Sequence, residues 1–291
     1  MSAKRIIPIT PVMRRYQALR KMSQKQRLGE AMRLVAHPDE LADEVAASVA
    51  RFTPYRNLDE HFYPPDRAER EFADAVKRTN DLVLRLAEQQ RVVPFDARGR
   101  LTIHDAGQSV TAVPAAQLAM DYVDRELLVQ RTTSPAMWED GTHNRGGVRL
   151  DVLLADAADR TPVVAELKLP GDMDPFFALV QALACAAHLA TSSQYERMRR
   201  HLRRARFPEL SGAPRLDVCI LFVDPPGYDP AQPPKGRYMA DLKAAAETLA
   251  PKLLAQDALA TTVRRIAGLA MSLDDAGTLT VEVRWAWQRS A

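Results

Sequence analysis

The sequence predicts an α/β fold with a mixed central sheet flanked by helices. Two short apolar strands at 148–155 and 162–169 stand on either side of the polar turn 156–161, a pattern typical of a hairpin. A continuous apolar run at 215–223 is typical of a strand covered on both faces. Helical patterns precede, separate and follow these strands. The resulting order of helix, strand, strand, helix, strand and helix indicates an α/β core.

The first 90 residues are polar, arginine-rich and helical in pattern. We interpret 1–90 as an N-terminal helical extension of a domain that spans 91–291. Ser23 and Gln26 resemble a capping box, in which a side-chain oxygen and an amide satisfy the first backbone groups of a helix. The predicted elements of the extension are a helix from Arg27 to Ala36, a helix that starts after Pro38 and runs to Phe52, a loop at 53–65 and a long helix at 66–90.

The second region begins with a predicted hairpin at 91–105. Pro114 then suits the first turn of a helix, which we predict to run over 114–131. After a loop that contains Gly146 and Gly147 comes the strand pair. The remaining predicted elements are a strongly apolar helix at 174–190, an arginine-rich helix at 193–207, the strand at 215–223, a helix at 238–254 and a C-terminal hairpin turned at 274–277.

The composition is that of a soluble globular protein, with 46% hydrophobic and 26% charged residues in a chain of 291. No apolar run approaches the roughly 20 residues of a membrane span, and the N-terminus lacks the pattern of a secretory signal. A cytoplasmic location without membrane association is therefore the expectation. Cys185 and Cys219 lie in apolar segments and are expected to be buried thiols in a reducing compartment. The net charge of +3 is only mildly basic, so it permits a nucleic-acid partner without requiring one.

Charged residues interrupt the two apolar strands of the hairpin. Because side chains alternate along a strand, Glu166 and Lys168 share one face while Ala165 and Leu167 point into the core. Symmetry about the turn places Asp151 directly across from Glu166, with Cβ atoms roughly 4.5 to 5.5 Å apart. Two facing carboxylates repel each other unless a cation lies between them, so the pair favours a divalent metal ion with oxygen ligands.

A third acid follows from the predicted helix at 114–131. At about 100° per residue, Glu126 falls in the middle of the apolar face of this helix. An acid there is anomalous unless it serves a site, which makes Glu126 a further candidate metal ligand. An Asp followed by Glu-x-Lys occurs often by chance, and such a strand face is commonly solvated. The apolar strands, the short turn and Glu126 together favour the functional interpretation.

These residues resemble the PD-(D/E)XK nuclease superfamily, which has the restriction-endonuclease-like fold. Its pattern is a helix with an acid, a strand with Asp, a strand with Glu-x-Lys, a helix and a further core strand. The resemblance covers about residues 111–225. The chain departs from it in having Leu150 before Asp151 where the family often has proline, and Cys185 where some branches have tyrosine. The positions that match are Glu126, Asp151, Glu166, Leu167 with Lys168, and Gln181.

The resemblance implies metal-assisted phosphodiester hydrolysis with Mg²⁺, for which Mn²⁺ would substitute. The implied metal ligands are Asp151, Glu166, the Leu167 carbonyl and Glu126. Lys168 would position or deprotonate the attacking water and stabilise the transition state, and Gln181 would orient the site or touch the substrate. The implied activity is a DNA endonuclease in defence, restriction or repair. The alternatives are an inactive nucleic-acid-binding or scaffold protein of the same fold, and an RNA-cleaving or toxin-type effector.

A nuclease must also hold a polyanion, and arginines cluster after the motif. Such clusters neutralise phosphates, although arginine runs on helices are more often solvated faces. DNA is the favoured partner over RNA, and a homodimer would suit double-strand cleavage. The candidate phosphate-binding residues are Arg145 and Arg149 beside the motif, and Arg197, Arg200, Arg203 and Arg204 on the predicted helix at 193–207.

Overall fold

The computed structural model describes residues 9–52, 99–101, 103, 110–111, 113, 117–130, 148–168, 174–202, 206–223, 238–273 and 279–289. Within these ranges the chain forms an eight-stranded mixed sheet, with helices packed against one of its faces. The predicted α/β class is therefore confirmed. The predicted helix at 66–90 and most of the hairpin at 91–105 lie outside the described residues.

The described helices agree with the sequence patterns in most places. The capping box of Ser23 and Gln26 is present at the start of the second helix. The arginine-rich helix is shorter than predicted, because the backbone leaves helical geometry at Leu202. The helices are α1 (Pro11–Lys21), α2 (Gln24–Ala36), α3 (Pro38–Phe52), α4 (Pro175–Leu189), α5 (Ser192–His201) and α6 (Met239–Leu254).

The strands lie in the order β1-β3-β4-β5-β6-β7-β8-β2 across the sheet. The run β3, β4 and β5 is antiparallel, β5, β6 and β7 are mutually parallel, and β8 returns antiparallel to β7. Helix α4 makes the crossover from β5 to β6, and α6 precedes β7. The strands are β1 (Arg100–Leu101), β2 (Val110–Thr111), β3 (Met120–Gln130), β4 (Val148–Asp156), β5 (Pro162–Lys168), β6 (Leu216–Val223), β7 (Val263–Leu273) and β8 (Leu279–Gln288).

The helix predicted at 114–131 is wrong, because residues 120–130 form strand β3. The burial of the strand alternates from residue to residue between Met120 and Arg125, as expected for a strand with two different faces. The next buried residues are Leu127 and Val129, and this change of phase gives the buried positions an apparent helical spacing. Pairing with β4 along nearly its whole length outweighs the helical tendency of the segment.

Both faces of the sheet are buried. The larger hydrophobic cluster lies between the sheet and the helices, and it includes Met13 and Leu19 of α1, Leu34 of α2 and Val45 of α3. The smaller cluster lies on the other face and contains Cys219. Cys185 and Cys219 are both buried free thiols, as predicted. The N-terminal helices therefore share one continuous core with α4 and α6.

Helix α1 is joined to α4 by a buried histidine. The Nδ1 of His188 donates to the Ala184 carbonyl, which can only accept, so Nε2 accepts from the Thr10 hydroxyl at 3.2 Å. Burial lowers the pKa of His188 to about 4, although the bond to Ala184 opposes this shift. The imidazole is therefore neutral in the folded protein at neutral pH, and it acts as a structural polar residue of the core.

This histidine is expected to make folding stability fall as the pH is lowered. The unfolded state takes up the imidazole proton near pH 6.5, whereas the folded state takes it up only near pH 4, so acid favours unfolding between these values. The difference corresponds to roughly 3 kcal/mol at pH 4. Urea unfolding of the wild type and of His188→Gln at several pH values measures this loss of unfolding free energy. Equal slopes of unfolding free energy against pH in the two proteins would contradict the assignment.

A network of buried charges joins β4, β6 and β7 at the end of the sheet where β6 and β7 begin. The Arg264 guanidinium contacts Asp217 through Nε at 2.9 Å and Nη2 at 2.7 Å, and Asp156 at 3.1 Å. Arg265 donates to Asp156 at 2.9 Å and to the Gln117 carbonyl at 2.9 Å. Two arginines thus hold two buried carboxylates, which fixes the relative positions of three strands.

In the part of the chain that the structure describes, no single helix has the length and hydropathy needed to cross a membrane. Helix α4 and most of α5 reach that hydropathy only as a pair bent by 82°.

Candidate active site

Asp151 of β4 and Glu166 of β5 lie side by side in the middle of the sheet. Val152 pairs with Ala165, so the antiparallel register places Asp151 opposite Glu166, as the symmetry of the turn predicts. The Asp151 Oδ2 accepts a hydrogen bond from the Leu167 N–H at 3.0 Å. This bond fixes the Asp151 carboxylate over the backbone of β5, one residue beyond Glu166.

Lys168 lies beyond Glu166 on the same face of β5. Its Nζ is 3.9 Å from the Glu166 Oε2, which is within ion-pair distance but longer than a hydrogen bond. Glu166 is fully buried and Lys168 is 4% exposed. Because a buried charge is costly without an opposite charge, the pair stabilises both ionised groups. The two residues also stand at the carboxyl end of β5, where β5 is parallel to β6 and where open α/β sheets commonly bind ligands.

Ala165 and Leu167 point into the core as predicted, since both belong to the smaller hydrophobic cluster. Glu166 faces α4 on the opposite side of the sheet, so this face is covered as well. Alternation along a strand separates the two faces but does not tell which of them is covered. The carboxylates therefore lie between the sheet and the helices.

Helix α4 supplies one wall of this site through residues spaced four apart. Phe177 contacts Lys168, whose Nζ is 5.9 Å from the centre of the ring. Gln181 donates from Nε2 to the Arg149 carbonyl at 3.4 Å, so it holds β4 two residues before Asp151. Cys185 places Sγ 4.0 Å from the Glu166 Oε1. The residues at i, i+4 and i+8 form one stripe along the helix, which explains why they face the same site.

The Cys185 thiol stays protonated in this environment. Burial raises the pKa of Cys185 well above its ordinary value, and the negative charges of Glu166 and Asp151 raise it further. Lys168 opposes the shift only in part. Because the thiolate is the nucleophilic form of cysteine, Cys185 is a packing residue of the site.

Helix α1 supplies a second wall, which sequence reasoning missed. The ring of Tyr16 stacks on Phe177 with centroids 5.3 Å apart. Burial raises the pKa of Tyr16 to about 12, with further contributions from Glu166 and Asp151, while Arg20 lowers it. The phenol is therefore protonated and lies within electrostatic reach of both carboxylates. The available signal was the buried stripe of α1, in which Tyr16 is the polar-tipped member.

Glu126 occupies a different element from the one predicted. It lies on strand β3, between Arg125, which pairs with Val152, and Leu127, which pairs with Leu150. The register of β3 and β4 therefore places Glu126 opposite Asp151. Since Asp151 in turn lies opposite Glu166, these three positions form a row across three strands. The Glu126 side chain lies outside the described residues, so its predicted role as a ligand stays a prediction.

The chemistry of the donor set fits a hard divalent cation. Two carboxylates on adjacent strands supply oxygen ligands. The Leu167 carbonyl offers another oxygen on the same strand as Glu166. Mg²⁺ binds oxygen ligands of these kinds and keeps several of its waters. Among the side chains that the structure describes, no three histidines, cysteines or acids form a metal-binding group. A site built on Asp151 and Glu166 would thus complete its coordination with backbone oxygen and water.

Of the candidate phosphate-binding arginines, the structure describes the side chains of Arg149 and Arg200. Arg149 and Arg200 are exposed, and neighbouring Arg199 pairs with Glu196 at 3.1 Å and with Glu209 at 3.3 Å. Helix α5 begins beyond the far end of α4, and its Tyr195 lies close enough to the β4–β5 turn for Asp159 to raise its pKa. The described part of this helix is therefore remote from Lys168. Outside the described residues lie Arg145, Arg203, Arg204 and the side chain of Arg197.

Comparison with protein-family models, with curated proteins and with solved structures finds no match to this chain.

Proposed function

We propose that this protein is a metal-dependent nuclease that hydrolyses phosphodiester bonds, with DNA as the favoured substrate. The observation that carries the proposal is the facing pair of Asp151 and Glu166, with Lys168 at the carboxyl end of the same strand. A facing acid pair is unfavourable as a purely structural device, whereas it is the arrangement needed to hold a divalent cation.

The order of elements around the pair supports a restriction-endonuclease-like core. A strand with Asp (β4), a strand with Glu-x-Lys (β5), a helix (α4) and a core strand parallel to β5 (β6) follow each other along the chain. The first element departs from the pattern, since Glu126 lies on a strand and not on a helix. The proposal therefore depends on Asp151, Glu166 and Lys168 more than on Glu126.

The residues of the site divide the work of hydrolysis between them. Bound at Asp151 and Glu166, Mg²⁺ would supply Lewis acidity toward a phosphate oxygen and toward an attacking water. The Lys168 ammonium donates hydrogen bonds to the water or to the phosphate oxygens that gain negative charge in the transition state. The protonated Tyr16 phenol and the Phe177 ring exclude water from the inner side of the site. Gln181 holds the backbone of β4 and acts as a positioning residue.

Incubation of the purified chain with nucleic acids tests the proposal. Supercoiled plasmid, linear duplex DNA, single-stranded DNA and RNA are each treated with Mg²⁺, Mn²⁺ or EDTA. A parallel preparation of Asp151→Asn reveals cutting by contaminants. We expect metal-dependent cutting of DNA by the wild type alone. Cutting that persists in EDTA, or that is equal in both preparations, contradicts the proposal. Preferential cutting of RNA would show that the protein is a ribonuclease and contradict the assignment of DNA as the substrate.

A further inference from the structure

A basic surface adjoins the candidate site at the junction of α1 and α2. Residues 20–27 read RKMSQKQR and contain four basic residues and no acid. Arg20, Lys21 and Lys25 are exposed, and no ion pair joins them to another residue that the structure describes. Arg27 instead pairs with Asp174 at 2.7 Å. We call Arg20, Lys21 and Lys25 the junction surface.

Contacts through Phe177 connect this junction to the carboxylates. The Arg27 guanidinium lies 5.2 Å from the centre of the Phe177 ring, and the Lys168 Nζ lies 5.9 Å from the same centre. Tyr16 stacks on the ring and stands one helical turn before Arg20. The junction surface is therefore next to the end of the sheet at which Lys168 stands.

Arg15 of α1 is engaged in ion pairs. It pairs with Glu30 and with Glu44, the latter at 2.5 Å. Arg14 borders the groove that these two acids line. Three exposed cations that make no ion pair with a described residue thus lie close together in the sequence at the junction.

We propose that the junction surface binds the phosphate backbone of the nucleic acid and guides it toward the site, an inference that rests on the proposed nuclease function. Three exposed cations, two in the last turn of α1 and one in the first turn of α2, supply the positive charge that a phosphate backbone requires. A nucleic acid bound there would extend to the end of the sheet at which Lys168 stands. The arginines of α5, which the sequence favoured for this role, lie at the other end of α4.

Binding in EDTA separates this inference from the nuclease chemistry. Fluorescence anisotropy with a labelled duplex measures affinity between 50 and 200 mM KCl for the wild type and for Arg20→Gln/Lys21→Gln/Lys25→Gln. Each lost phosphate contact lowers the slope of log affinity against log salt by about 0.9. We therefore expect the slope to fall by about 2 to 3, and the affinity at 100 mM salt to fall by at least about 10-fold.

The matched control is Arg51→Gln/Arg215→Gln/Lys252→Gln, which removes three exposed charges from other surfaces. We expect this control to keep most of the wild-type affinity and slope. Equal losses in both triple variants would show an effect of net charge and overturn the inference, as would wild-type binding by the junction variant. A wild type that binds no nucleic acid also overturns it. If the duplex binds through the junction surface but is not cut when metal is present, the proposed binding surface is supported and the proposed nuclease function is contradicted.

Discussion

Asp151→Asn is expected to lower the rate of metal-dependent phosphodiester cleavage by at least about 10³-fold. The substitution removes one of the two charged ligands of the proposed site and leaves Glu166 paired with Lys168. Metal ions contribute several kcal/mol to transition-state stabilisation, and about 4 kcal/mol corresponds to a 10³-fold change in rate. Single-turnover rates with enzyme in excess measure the chemical step without interference from product release.

The fold is expected to tolerate this change. The Asp151 Oδ2 accepts a hydrogen bond from the Leu167 N–H, and the side-chain oxygen of asparagine can accept the same bond. Alanine would remove the acceptor and leave a backbone N–H without it, which mixes a structural effect with a catalytic one. Thermal unfolding of Asp151→Asn should therefore give a Tm within a few degrees of the wild-type value. This corresponds to a change of about 1 kcal/mol in the free energy of unfolding.

Asp121→Asn provides the matched control for the Asp151 experiment. Asp121 is an acid on β3 whose carboxylate pairs with Arg100 and Arg160, near the turn end of the same hairpin. The same chemical change there should leave the cleavage rate within about 2-fold of wild type, because surface substitutions away from a site have small effects. If Asp151→Asn cleaves within 10-fold of wild type, or if the two variants behave alike, Asp151 is not a metal ligand.

The central part of the fold was predictable from local patterns. The hairpin of β4 and β5 has apolar strands, a short polar turn and a period of two, and these features also fix the register that brings Asp151 opposite Glu166. The apolar run of β6 and the apolar helix α4 were equally clear. Short-range information determines such elements because a hairpin and its turn are contiguous in the chain.

Strand β3 shows where this reasoning fails. Its buried and half-buried residues alternate from Met120 to Arg125, but the buried positions then change phase to Leu127 and Val129, which produces a spacing that also fits a helix. An acid in the middle of a predicted apolar helical face was itself a sign of conflict. Local and tertiary preferences normally agree, so a charged residue that contradicts its predicted element is evidence against the element as well as for a site.

The wall that α1 forms could not be predicted from the sequence. Tyr16 and Phe177 are in contact although more than half of the chain separates them in the sequence. No local sequence pattern specifies a contact between residues so far apart. For the same reason the distance between α5 and the carboxylates could not be predicted. Helix α5 follows the motif closely in the sequence, whereas its described part lies at the opposite end of α4 from Lys168. Charge clusters therefore need the fold before they can be related to a site.

Arg265→Met is expected to lower the free energy of unfolding by roughly 3 kcal/mol at neutral pH. Arg265 is 4% exposed, and it bonds to Asp156 at 2.9 Å and to the Gln117 carbonyl at 2.9 Å. Its removal leaves two buried aspartates with one arginine. Since Arg264 still contacts both carboxylates, the loss should lie at the lower end of the 3 to 5 kcal/mol typical of a broken buried pair.

The stability of the Arg265 variant is measured by urea unfolding, and it should appear in thermal unfolding as a Tm lower by about 5 to 10 °C. Arg200→Met is the control, because it removes an exposed arginine and should change the free energy of unfolding by less than about 0.5 kcal/mol. If the loss arises from the uncompensated charge of Asp156, then Asp156→Asn combined with Arg265→Met should cost at least about 1 kcal/mol less than the sum of the single changes. Strict additivity would instead indicate that Arg265 stabilises the sheet through the packing of its aliphatic stem.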